Sequence, residues 1–199
     1  AESTPIPLVL GRRAQAARVL QQAPSRKRQP RPLQAVWYNG FSMSEFVHLH
    51  VHSEYSLLDG LSSCEELAER AAELGMPALA LTDHGTMYGA VQFYKACERA
   101  AIKPIIGLEA YVAPRRRQSR HPQRDRSPYH IILLAENDVG YKNLMHLATV
   151  AQLEGFYYKP RVDREALEAH NEGLIVLSGC GSSELAHWIG RKEPEKARE

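Results

Sequence analysis

The stretch "FVHLHVHSEYSLLDG", residues 46 to 60, places His48, His50 and His52 at every second position and brings in Asp59 seven residues later. In an extended strand, side chains two residues apart share a face and stand about 6 to 7 Å from one another. The three imidazoles are therefore expected on one side, with Val47, Leu49 and Val51 on the other. Such a face could be a solvated polar strand. Three histidines in period two followed by an aspartate favour metal binding, because imidazole and carboxylate together form a ligand set for divalent ions.

Working outward, apolar runs alternate with helical patterns. "SSCEELAERAAELGMP" (62–77) carries Ser63 three residues before Glu66, a capping box, and closes on Gly75 and Pro77. "PALALT" is a predicted strand, "YGAVQFYKACERAA" a helix, "KPIIGLEAYVA" and "YHIILLA" strands. Helices near "VGYKNLMHLATVAQL" and "REALEAH" precede a last strand, "GLIVLSG". Repeated strand–helix alternation predicts an α/β fold with a parallel sheet or barrel. Five strands fall short of the eight in a complete (β/α)8 barrel.

A second polar cluster lies in "LTDHGTMYG" (81–89), where a buried strand delivers Asp83 and His84 to its exit and Gly85 allows a tight turn. Alone, this motif suits a polar turn as well as a site; strand exits are where α/β folds place their chemistry. Glu109 interrupts an apolar run and needs a partner if buried, either a metal or an Arg/Lys salt bridge. His130 and Cys180 extend the candidate list, although His130 opens its strand, against the exit rule. Cys64 and Cys97 lie on helical patterns and read as small core residues. His121, His146, His170 and His187 read as ordinary surface or helix residues.

Composition sets limits. The 199 residues are 44% hydrophobic, enough for one sizeable core. Three cysteines without a C-x-x-C pair, and no signal-peptide or membrane-span pattern, predict a reducing, cytoplasmic setting. Residues 1 to 42 carry seven Lys/Arg, one Glu and five prolines, and read as a basic disordered extension, either an upstream tail or a DNA-tethering arm. Met43 would then open the ordered domain, 43–199, which holds 18 basic and 22 acidic side chains. An Arg-rich loop at 114–128, with six Arg and one Asp, is the other basic segment available to nucleic acid. No G-x-x-x-x-G-K-S/T loop, G-x-G-x-x-G turn or G-x-S-x-G elbow competes with a metal site. "SGCGSS" could add an anion-binding nest of backbone amides.

Taken together, "FVHLHVHSEYSLLDG", "MPALALTDHGTMYGAVQFYKA", "IKPIIGLEAYVA", "LLAENDVGYKNLMHLA" and "GLIVLSGC" resemble, in order, the PHP (polymerase and histidinol phosphatase) superfamily. Within it they are similar to the amino-terminal PHP domains of bacterial replicative DNA polymerase III alpha subunits. The resemblance runs from about Met43 to about Leu185. It implies a distorted, TIM-like barrel of about seven β/α units holding up to three divalent metals, Zn by preference with Mn or Fe possible. By position it implies His50, His52, Asp59, His84, Glu109, His130 and Cys180 as ligands, with His48 and Asp83 as orienting neighbours. His50, His52, Asp59 and His84 would act through water activated on the metals, its pKa lowered from about 15.7 to about 7.

The implied activity is a metal-dependent phosphoesterase, in the parent protein a 3′-to-5′ proofreading exonuclease attached to a DNA-directed DNA polymerase. The implied partners are DNA, a proofreading subunit and a sliding clamp, near the nucleoid and without a membrane. The family's late D-x-H motif and the polymerase parts are not found before Glu199. The chain is therefore expected to be an incomplete barrel that cannot polymerise DNA alone. Two alternatives stand beside this reading: a metal-stabilised scaffold that docks a separate proofreading subunit, and a free-standing PHP phosphatase.

Overall fold

The structure, a computed structural model, describes residues 46–198. The expected basic extension at 1–42 and the expected start at Met43 lie outside the described residues. Among the described residues five helices and five strands follow in the order α1 (Cys64–Glu73), β1 (Ala78–Leu81), α2 (Ala90–Arg99), β2 (Lys103–Val112), β3 (Tyr129–Ala135), α3 (Asp138–Leu153), β4 (Arg161–Val162), α4 (Arg164–Ala169), β5 (Leu174–Leu177) and α5 (Glu184–Gly190). The capping box of α1 forms as its spacing predicts: Glu66 N donates to Ser63 Oγ, and Ser63 N donates to the Glu66 carboxylate at 2.9 Å. Neither β4, only two residues long, nor α5 has a pattern that sequence reading picks out.

The sheet is mixed, which corrects the parallel arrangement expected from strand–helix alternation. β2 runs parallel to β1 and β4, but β3 is antiparallel to β2 and β5 is antiparallel to β3. The cause lies in the connection. The chain between β2 and β3 is the Arg-rich loop rather than a crossover helix, so β3 returns directly beside β2. Among the described residues the five strands form an open sheet.

β2 organises the fold. Leu108, Ala110 and Val112 on one face pack with Leu133, Leu144, Leu147, Ala151 and Val162 into a core beneath α3. Glu109 and Tyr111 alternate to the opposite face. A separate cluster joins α1, β1 and α2 through Cys64, Ala68, Leu79, Leu81, Phe93 and Cys97. Burial pushes the Cys64 and Cys97 thiols up to about 11, in keeping with inert core residues. No helix among the described residues is long and apolar enough to cross a membrane.

The Arg-rich loop is held by its own arginines. Arg115 pairs with the buried Asp125, and Arg117 reaches Glu154 at 2.7 Å and Asp163 at 2.9 Å. At its base Arg161, wholly buried, donates to four backbone carbonyls: Gly155 and Asp125 (2.9 and 2.8 Å), and Arg117 and Ser119 (both 2.9 Å). Four of the six arginines, Arg116, Arg120, Arg124 and Arg126, have no ion pair among the described residues, although Arg120 donates to the backbone carbonyls of Gln118, Glu154 and Phe156. Two of the loop's six positive charges are thus neutralised within the fold. Arg161→Met should leave buried carbonyls without donors and lower stability by at least about 2 kcal/mol, whereas the exposed Arg116→Ala should change it by less than about 0.5 kcal/mol. Urea unfolding followed by circular dichroism checks both.

Candidate metal centre

Residues 46–52 do not form the regular strand that their alternation predicts. The chain runs beside β1, with Ala80 N donating to His48 O at 3.0 Å and Thr82 N donating to Val51 O at 2.8 Å. Three residues on this segment therefore span two on β1, and the extra residue breaks the ladder. The Val51 amide is satisfied instead by Thr82 Oγ1 at 2.9 Å. The offset also breaks the shared face. His50 and His52 converge, their Nε2 atoms 3.1 Å apart, while the His48 ring packs edge-on against Phe46 at 4.7 Å. His48 therefore does not orient a ligand as the resemblance implies; its carbonyl anchors the segment to β1 instead.

Asp83, the other implied orienting neighbour, sits in a different environment. It is buried, and its carboxylate accepts from Ser53 N at 2.7 Å, Ser53 Oγ at 2.8 Å and Ser56 Oγ at 2.7 Å. These bonds shape the turn that connects His52 to Asp59, so Asp83 positions both residues through the backbone. Ser56 Oγ also accepts from His84 N at 3.1 Å. Gly85, at φ +63°, completes the strand exit; a Cβ there would meet Pro160 Cγ at 2.7 Å. Its amide donates to Glu109 O at 2.9 Å, and Glu109 N donates to Asp83 O at 3.1 Å. β1 thus pins His84 beside Glu109.

Glu109 is the meeting point. Its side chain is 1% exposed, and its two oxygens are surrounded by imidazoles: Oε2 lies 2.7 Å from His52 Nε2, 3.0 Å from His84 Nδ1 and 3.1 Å from His50 Nε2. Oε1 lies 2.7 Å from His130 Nδ1 and 4.0 Å from Cys180 Sγ. Among the described residues neither Arg nor Lys pairs with this acid. Asp59, at the open side, lies 2.9 Å from His84 Nε2 and 3.5 Å from His52 Nδ1.

His130 departs from the strand-exit rule for a clear reason. β3 runs antiparallel to β2, so the start of β3 stands beside the end of β2. β5 turns back again and carries Cys180 toward His130, with His130 N donating to Ser182 O at 3.2 Å. Cys180 remains at the rim, outside the three groups whose donor atoms converge.

Those groups are His50–His52–Glu109, His52–Asp59–His84 and His84–Glu109–His130, each with its donor atoms within 4.8 Å of one another. Electrostatics follow from the crowding. Burial raises the Glu109 carboxyl, but the imidazoles of His130, His52, His84 and His50 packed against it outweigh burial and hold the group well below the usual carboxylate range. The Glu109 and Asp59 carboxylates on either side raise His84. Hydrogen bonding to His84 lowers Asp59. Tyr111, missed by sequence reading, stacks on His84 at 5.8 Å and meets His130 edge-on at 5.0 Å; burial and then the Glu109 and Asp59 charges push its phenol up to about 12. Its position two residues after Glu109 on the same strand was the available signal.

The donor set fits a divalent ion. His84 Nδ1 is buried and close to Glu109 Oε2, yet the alignment gives it no hydrogen bond. Three imidazole nitrogens crowd one carboxylate oxygen, and two of them face each other at 3.1 Å. Hydrogen bonds alone satisfy this packing poorly; a shared cation satisfies it directly.

Comparison with known proteins identifies a family. The PHP domain family matches residues 48–199. Over 150 residues, 74% of the chain, it is 55% identical to a DNA polymerase III subunit alpha from Treponema pallidum; over 138 residues, 69% of the chain, it is 49% identical to one from Borreliella burgdorferi. The chain covers 13% and 12% of those proteins' lengths. A solved amidohydrolase from Chromobacterium violaceum is 25% identical, with a TM-score of 0.37 over 52% of this chain and 34% of its own.

Asp83→Ala should release the turn carrying His52 and Asp59 and weaken Zn binding about 10- to 100-fold, as removal of an outer support does at other metal sites. Competitive titration with a chromogenic chelator reads the change. Unaltered affinity would show that the turn holds its shape without Asp83.

Proposed function

The chain belongs to the PHP domain family, and from that premise we propose that it is a metal-dependent phosphoesterase domain. The single observation that supports this most is the overlap of three ligand groups on shared residues, His52, His84 and Glu109. His50, His52 and Glu109 would hold one ion, His52, Asp59 and His84 a second, and His84, Glu109 and His130 a third. Cys180 stands within reach of the last group as an additional sulfur donor. Imidazole with carboxylate suits Zn, with Mn or Fe as alternatives, better than Mg.

Bound ions would supply Lewis acidity toward a phosphoryl oxygen and toward the attacking water. The chain's own groups define the rest. Glu109, locked among four imidazoles, keeps its negative charge and is a ligand rather than a proton acceptor. Asp59, 53% exposed, puts the only carboxylate of the three groups that is open to solvent at the mouth. Tyr111 stays protonated and walls His84 on its stacked side.

The relatives named DNA polymerase III subunit alpha support a finer reading: the domain serves DNA replication, trimming 3′ ends as a proofreading exonuclease within a larger polymerase. DNA, a proofreading subunit and a sliding clamp are its proposed partners.

The test uses the full chain loaded with Zn or Mn, assayed on bis-p-nitrophenyl phosphate and on 3′-labelled single-stranded DNA. Asp59→Asn, at an exposed position, should leave the fold intact and lower hydrolysis by about two orders of magnitude. A folded, metal-loaded chain inert toward both substrates would overturn the phosphoesterase reading. Activity on the ester but not on DNA would remove the exonuclease assignment alone.

A further inference from the structure

The turn between α3 and β4 presents a charged group that has no ion pair among the described residues. Tyr157 N donates to Lys159 O at 3.0 Å, and Tyr158 between them adopts φ +59°, a left-handed conformation unusual for a bulky residue. The turn leaves Lys159 half-buried, its Nζ 5.3 Å from the centroid of the Tyr111 ring. Among the described residues no carboxylate lies within 4.0 Å of this ammonium. Lys159 lines a cavity of about 370 Å³ together with His84, Tyr111, Tyr55 and Tyr88.

An ammonium group without a carboxylate partner beside a cavity is available to a negatively charged ligand. The cavity is open on one side to His84, a residue shared by two of the three ligand groups. It is within the size range of small-ligand sites. Tyr88 is 69% exposed, and among the described residues its ring has no aromatic partner. A larger cavity of about 530 Å³ is lined by Val91, Tyr94, Ile105 and Ile175 among others and contains no histidine or cysteine.

We infer that the cavity between Lys159 and His84 is the subsite for the phosphate-bearing end of a nucleotide substrate. Lys159 Nζ donates to a non-bridging phosphoryl oxygen, and the Tyr88 ring offers a stacking face to the base. This rests on the phosphoesterase reading for its chemistry but not for its binding, because the ammonium and the ring belong to the chain itself. Lys159 would be a binding residue and not a metal ligand.

Isothermal titration of the full chain with inorganic phosphate and with thymidine 5′-monophosphate tests the inference, with metal content measured in parallel. Lys159→Met should weaken both about ten- to hundredfold without changing metal content or melting temperature, and Lys159→Arg should restore most of the affinity. Tyr88→Ala should weaken the nucleotide and leave phosphate unchanged. Phosphate affinity that ignores Lys159, or no phosphate binding at all, overturns the subsite. Equal responses of the two ligands to Tyr88→Ala overturn the nucleotide assignment and indicate a small phosphomonoester. A chain that binds no metal while its phosphate affinity still follows Lys159 supports the subsite and sinks the metal reading instead.

Discussion

One buried carboxylate sets the requirements for the rest of the structure. Glu109 has lost its water, and an ionised acid in that position costs several kcal/mol unless its surroundings replace the hydration. Four imidazoles from three separate stretches do so: His50 and His52 from the segment beside β1, His84 from the exit of β1, and His130 from the start of β3. The strand pairings, the serine-bound Asp83 and the turn at Gly85 all bring these rings to the same carboxylate.

The arrangement divides support from chemistry along the β2 strand. Alternate residues Leu108, Ala110 and Val112 anchor it to the α3 core, while Glu109 and Tyr111 face the cluster. A strand fixed on one face by apolar packing gives its other face little freedom to relax. That rigidity keeps nitrogen atoms close to each other even where hydrogen bonds cannot satisfy them, as at His84 Nδ1. Packing density therefore sustains an arrangement of donors that favours a cation.

Sequence made some of this legible and concealed the rest. Period-two histidines, the D-H-G turn and an acid within an apolar strand singled out His50, His52, Asp59, His84 and Glu109 as candidates, and the structure brings these side chains together with His130. The helix α1 was readable from its capping box. Sheet polarity was not readable: whether a connection crosses over or doubles back depends on the path of the Arg-rich loop, which follows from Arg161 binding carbonyls distant in sequence. His48 was misplaced because a single extra residue shifts an alternation that looks unbroken on the page. Lys159 gave no signal, since its meaning comes from what it faces and from the acid it lacks.

The central claim is that the Glu109 cluster holds divalent cations. Anomalous X-ray scattering at the Zn absorption edge, from crystals of the full chain grown with Zn, tests it most directly. Density peaks are predicted among His50, His52, Asp59, His84, Glu109 and His130, with Glu109 adjacent to more than one of them. A cluster without anomalous density, its imidazoles still hydrogen-bonded to Glu109 in the presence of Zn, would contradict the claim.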